Sequence, residues 1–203
     1  MQKLTKNASR LDKVFKFFQT LFTVLAIVAA VFVGIILLGW LFGWDPDMIG
    51  TGYENLDFGF LELQITDAFA PDEWLVLLQA GIMLALCCVC CLIGRCEVKC
   101  IRAILQPMIQ GHPFSSAAAD NLKKLAVLSI ISGIVINCVD LAEQLITAYA
   151  YDLPSLLISE KIAHVSVNYS FDLSFLIYSA VLLLLSYVFR YGTQLQELSD
   201  ETL

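Results

Sequence analysis

The chain has 203 residues, 59% hydrophobic and 15% charged, with a mean hydropathy of +0.77. A soluble domain carries about 45–50% apolar and about 25% charged residues, so the composition excludes a soluble globular domain, a disordered chain, a coiled coil and a small secreted domain. The net charge of -7 excludes the general phosphate-binding surface that direct nucleic-acid binding needs, and leaves a single integral membrane domain over residues 1–203.

A hydrocarbon core about 30 Å thick takes about 20 apolar residues in a helix. Four stretches reach that length, at about 17–44, 74–94, 125–151 and 173–189. Lipid offers no partner to a bare N–H or C=O, so all four are expected to be transmembrane helices. The first follows Lys3, Lys6, Arg10, Lys13 and Lys16. Its apolar run outlasts the core of a signal peptide, about 7–15 residues, although Ala26, Ala29 and Ala30 offer a cleavage pattern; it reads as an uncleaved signal anchor. Within it, Ala26, Ala30 and Gly34 recur at i, i+4 and i+8, and Gly39 and Gly43 form G-x-x-x-G. Such small residues are expected to pack helices closely inside a four-helix bundle.

The segment from Asp45 to Glu73 holds eight acidic residues and no basic one. In it Leu61, Leu63 and Ile65 alternate with Glu62, Gln64 and Thr66, the period of a half-buried strand. Val165, Val167, Tyr169 and Phe171 alternate in the same way between the third and fourth spans. The two strands are expected to pair into a small extracytoplasmic β-element, resting on the helix ends because a lone pair is marginal in water.

Six of the seven cysteines fall between Cys87 and Cys100. Cys87/Cys90 and Cys88/Cys91 are both C-x-x-C pairs. They lie about 20 Å along the helix from Trp74, which marks the outer end, and so face the reducing side. One helix from Cys87 to Cys100 cannot converge four thiolates on zinc. Small apolar residues packed in or against lipid is the favoured reading.

After the second span, Ile101, Ile104, Leu105 and Met108 have helical spacing, with Lys99, Arg102 and Gln106 opposite. This predicts an amphipathic helix at about 96–110 lying on the inner leaflet, kinked by Pro107. Gly111-His112-Pro113-Phe114 breaks it, and Ser115 or Ser116 can cap the next helix.

The third span carries Asp140, Glu143 and Gln144 on one face. Counted from the outer ends, Gln79, Gln144, Tyr178 and Ser179 lie roughly 7–11 Å deep. Gln79, Asp140, Glu143 and Gln144 therefore form a candidate intramembrane polar cluster, serving as interhelical hydrogen bonding or as a ligand or proton site. Eleven of the twelve basic residues fall on one side of a four-span chain. The positive-inside rule places that side, and both termini, in the cytoplasm.

The runs Ile101-Arg102-Ala103-Ile104-Leu105, Gly111-His112-Pro113-Phe114-Ser115 and Asn121-Leu122-Lys123-Lys124-Leu125 resemble the inner loop of a bacterial membrane family, the domain of unknown function 2975. Phe189-Arg190-Tyr191-Gly192 and Gln194-Leu195-Gln196-Glu197 onward, to Leu203, resemble its C-terminal motif. The family's patterns read G-N-P-F-[ST] and F-R-x-G-x-x-L-Q-E-E-x-D-x-T-[VL]. This chain departs at His112, where Asn is usual, and at Leu198, where a second Glu is usual. The resemblance covers about the whole chain. It implies a four-helix protein of the bacterial plasma membrane and a pairing with a cytosolic helix-turn-helix regulator. It makes Gly111, His112, Pro113, Phe114, Arg190, Gly192, Gln196 and Glu197 a candidate cytosolic docking motif.

No hydrolase, zinc-protease or nucleotide motif is present, so no enzyme, cofactor or metal site is expected. The leading expectation is a non-enzymatic regulatory partner of a cytosolic regulator. The alternatives are a small transporter or an immunity protein against membrane-active peptides, motivated by the Asp140 face, and less favoured, a thiol oxidoreductase using a C-x-x-C pair. Four short spans lack the inverted repeat and broken helices of transporters.

Overall fold

A computed structural model of the chain describes residues 2–44, 55–57, 62–64, 73–110, 114–150 and 171–201. Among these residues are four long helices: α1 (Gln2–Phe42), α2 (Glu73–Ile109), α3 (Ser116–Ala150) and α4 (Ser174–Glu201). Each is long and apolar enough to cross a membrane, with mean hydropathy falling from 3.1 in α1 to 1.6 in α4. Their outer faces are apolar: Phe17, Leu37, Ile177 and Leu184 are each more than 60% exposed. In water such surfaces would aggregate; in a bilayer they meet lipid. The chain is a multi-pass membrane protein by this measure.

α1 begins in its basic turns and runs unbroken into the apolar stretch. Thr20 and Thr23 donate their hydroxyls to the carbonyls of Lys16 and Gln19, at 3.0 and 2.8 Å, which satisfies them within the helix. α1 ends at Gly43, whose φ of 61° only glycine adopts without strain. Trp44 N–H then donates to the Gly39 carbonyl at 2.9 Å, closing a Schellman cap. Of the G-x-x-x-G pair, Gly43 is thus a helix stop, while Gly39 is buried. Of the other small residues expected at a seam, Ala26 is buried, but Ala30 is exposed and a Cβ added to Gly34 would meet no described atom within 4 Å.

α2 continues through residues 96–110 without a break. The expected separate amphipathic helix on the leaflet is the lower part of α2, because nothing between Gly94 and Gln106 interrupts the backbone ladder. Pro107 lies within the last turn, where its missing N–H and ring disturb few remaining bonds.

Two three-residue strands pair antiparallel between α1 and α2: β1 (Asn55–Asp57) and β2 (Glu62–Gln64), with Leu56 opposite Leu63. The expected sheet built from both inter-helix segments is corrected here. β2 takes its partner from its own segment, since closing a short loop costs less chain entropy than pairing with residues about a hundred positions away. Leu61, Ile65, Thr66 and residues 165–170 lie outside the described residues, and Phe171 and Asp172 are not in a strand.

By its internal contacts the chain divides into two compact units. One comprises Met1–Ile27, Val89–Asn137 and Phe171–Leu203, and the other Val28–Cys88 and Cys138–Ser170. The first contains parts of all four helices. Its core is Ile104, Ala118 and Leu122, with Met108, Leu125, Leu182 and Phe189 against it. Ala118, Ala119 and Ala126 are fully buried, so α3 presents an almost side-chain-free face to its neighbours. The second unit contains parts of α1, α2 and α3 and the β1–β2 pair.

Candidate functional site

The start of α3 and the lower half of α4 meet at Phe114. Ser115 caps α3: its hydroxyl accepts from Ala118 N–H at 3.1 Å, and its carbonyl accepts from Ala118 and Ala119. The cap directs Phe114 onto α4, where its ring meets Phe189 edge-on, with centroids 5.5 Å apart and an interplanar angle of 61°. Gly192 lies one turn further on. A Cβ there would come within 2.7 Å of the Phe114 ring, so this glycine is required by a close approach and not by backbone conformation. One turn above, Ser186 donates to the Ala119 carbonyl at 2.8 Å in a buried bond. Arg190 reaches Asp120 at 2.9 Å, with both side chains more than half exposed.

The two sequence runs that form the candidate docking motif therefore touch in space. Phe114, Arg190 and Gly192 are brought together. Gln196 is half-buried and Glu197 exposed on the same helix, which continues to Glu201. Gly111, His112 and Pro113 lie outside the described residues. Arg102, expected on the polar face of a helix lying on the inner leaflet, turns to α1 instead. It is half-buried against α1, where its Nε donates to Asp12 at 2.9 Å and its Nη1 to the Gln19 side-chain oxygen at 2.6 Å. Asp12 and Gln19 are two turns apart on one face of α1, so the planar guanidinium bridges them.

The intramembrane polar cluster is only partly assembled. Gln79 donates to the Thr147 hydroxyl at 3.0 Å, a partner one turn beyond Gln144. A cavity of about 300 Å³ beside it is lined by Leu75, Leu78, Ile82, Leu145, Ile146 and Tyr149 as well as Gln79. Asp140 and Glu143 are exposed and Gln144 is half-buried, and among the described residues none of the three forms an ion pair. Tyr178 is exposed, whereas Ser179 is 2% exposed and its hydroxyl has no hydrogen-bond partner among the described residues.

Asn137 itself is a residue that the sequence reasoning missed. Its side-chain amide donates to the Asp172 carbonyl at 2.9 Å, and its oxygen accepts from Asp172 N–H at 2.8 Å. It thus binds the backbone just ahead of α4 as a strand neighbour would. Asp172 in turn accepts from the Ser174 N–H and hydroxyl, both at 2.8 Å. These bonds, the backbone one first, hold the Asp172 carboxyl below the usual carboxylate range. Beside this clamp, a methyl group on Gly133 would overlap the Phe175 ring. A lone Asn in an otherwise apolar stretch was the available signal, since such amides gather at helix contacts.

The seven cysteines form no disulfide. Cys91 is buried, while Cys87, Cys96 and Cys138 are exposed. Among the described residues no three His, Cys, Asp or Glu side chains gather as metal ligands.

The geometry defines a membrane protein with a well-packed polar end built from α2, α3 and α4. Comparison of the chain with protein-family models, with characterised proteins and with solved structures gives no significant match.

Proposed function

We propose that the chain is a non-enzymatic regulatory protein of the bacterial plasma membrane, crossing it four times with both termini in the cytoplasm. Its Phe114 end docks a cytosolic helix-turn-helix regulator. The observation that carries this reading is the meeting of Phe114 with Phe189 and Gly192, which joins the two motif runs into one ordered surface. α4 continues past Arg190 as helix to Glu201, so the residues offered to a partner are already in place. Preorganisation of this kind lowers the ordering cost of binding. The basic residues flanking the spans support the orientation, and on that orientation the β1–β2 pair faces the envelope. The resemblance supplies the class of partner.

The test is a deletion strain complemented with wild-type protein, Phe114→Ala, or a chain lacking residues 194–203. Wild type restores the transcript profile. The two variants insert with unchanged topology but fail to restore it. An unchanged profile on deletion of the whole gene would overturn the regulatory reading. Full rescue by both variants would move docking away from this surface.

A further inference from the structure

A second feature of the same compact unit stands independently of any regulator. Between α2 and α3 lies a cavity of about 740 Å³, whose lining includes Lys99, Lys123 and Lys124. Cys96, Cys100, Ala103, Val127 and Leu128 line it too, and its size is that of a ligand site, about 300–1,000 Å³. Its one acidic lining residue, Asp120, is already engaged by Arg190. The nearby Glu97 carboxyl accepts a hydrogen bond from Ser132. Among the described residues no carboxylate forms an ion pair with Lys99, Lys123 or Lys124. Three ammonium groups thus share one cavity, none of them ion-paired to a carboxylate among the described residues, in a protein whose net charge is -7. Local charge and not net charge sets what such a pocket attracts.

The walls indicate what carries the matching anion. Above the lysines, the α2 face that bears Cys96 and Cys100 continues one and two turns on as Leu92 and Val89, 49% and 43% exposed. The α3 face that bears Val127 continues as Ile131 and Ile134, 44% and 52% exposed. A ligand with an anionic head and apolar chains fits this sequence of surfaces, head among the lysines and chains along the two stripes. We propose that the cavity binds the phosphoryl headgroup of an anionic membrane lipid. Basic pockets between transmembrane helices hold such headgroups through charge-assisted hydrogen bonds from flexible ammonium groups.

The test uses the full-length protein in a neutral detergent, with binding of dioctanoyl phosphatidylglycerol, dioctanoyl phosphatidylcholine and glycerol 1-phosphate measured by native mass spectrometry. Wild type retains phosphatidylglycerol at least tenfold more tightly than Lys99→Gln/Lys123→Gln/Lys124→Gln. A control triple variant, Lys3→Gln/Lys13→Gln/Lys16→Gln, removes the same charge from α1 and binds like wild type. Equal retention by wild type and the pocket variant, or equal loss in the α1 control, would overturn the proposal. Glycerol 1-phosphate binding as tightly as the lipid, and lost in the pocket variant, would overturn the lipid source and assign the site to a soluble phosphoryl compound. Should the pocket variant fail to fold, wild type alone decides the matter. The exposed Cys96 lines the cavity, so phosphatidylglycerol slows its alkylation by N-ethylmaleimide several-fold while exposed Cys138 is unaffected. An unchanged Cys96 rate at saturating lipid would overturn it.

Discussion

Gly192 sits directly against the ring of Phe114, close enough that a Cβ would come within 2.7 Å of a ring carbon. Residues far apart in the chain are matched here to a fraction of an ångström, a hydrogen atom on one side and an aromatic face on the other. Gly192→Ala is expected to push the ring off Phe189 and destabilise the protein by about 1–3 kcal/mol. In a Phe114→Ala background the sign reverses. Alanine then meets no ring, and its better helix propensity stabilises by up to about 1 kcal/mol. Unfolding in mixed micelles measures both. A destabilisation that is the same in both backgrounds would show that the ring contact is not its cause.

Arg102 and Arg190 both pair with an aspartate at 2.9 Å but differ in exposure: 26% and 19% for Arg102 and Asp12, against 58% and 57% for Arg190 and Asp120. Arg102→Gln is expected to cost about 1.5–3 kcal/mol, the range for hydrogen bonds to charged groups. Arg190→Gln costs about 0–1 kcal/mol and its effect fades with added salt. A double-mutant cycle on each pair, at low and high salt, checks the contrast.

Asn137→Leu removes two hydrogen bonds that hold the Asp172 backbone. The expected loss is about 1–3 kcal/mol. Hydrogen exchange localises it: the amides of Asp172 to Leu176 lose protection, while those near Ser186 keep it. Uniform loss along α4 would place the role of Asn137 elsewhere.

The Asp172 carboxyl lies below its unfolded value because Ser174 donates to it twice. A depressed carboxylate adds stability that is fully present above the unfolded pKa of about 3.9 and is lost as pH falls through the folded value. Wild type should therefore lose this contribution only below about pH 4. Asp172→Asn retains an acceptor oxygen but has no proton to gain, so its melting temperature should fall less steeply over that acid range. Parallel acid curves for the two proteins would exclude the carboxyl.

Gln79 donates to Thr147, and Gln79→Leu is expected to cost about 0.6 kcal/mol, the mean for interhelical hydrogen bonds in membranes. Asp140→Asn and Glu143→Gln, at exposed positions, should change stability by less than about 0.5 kcal/mol. Proteoliposome flux separates the roles: flux abolished by Asp140→Asn without loss of stability would make that carboxylate a transport site.

The four helices were legible in the sequence because lipid leaves a backbone no other way to satisfy its N–H and C=O groups. Length and apolarity alone located them, and the cap of α3 was legible as Ser115 or Ser116, of which the structure uses Ser115. The ends were not. Gly43 read only as half of a packing motif, and its positive φ, which ends α1, is not visible in the spacing; residues 96–110 read as a separate helix because amphipathicity is the same for a helix lying flat and for the lower turns of a longer one.

Register was decided only by tertiary structure. Lipid tails are as apolar as leucine, so hydropathy does not distinguish a face that meets lipid from one that meets another helix. The pairings of Asn137 with Asp172, Gln79 with Thr147, and Arg102 with Asp12 and Gln19 depend on how far one helix slides past another. That offset is set by small side chains such as Gly133, Ala118, Ala119 and Gly192, which admit a neighbour where any larger residue would hold it away. The sequence by itself determined the four membrane-length helices and where the charges flank them; the fit of Phe114 over Gly192 and the lysines around one cavity exist only once those helices are packed.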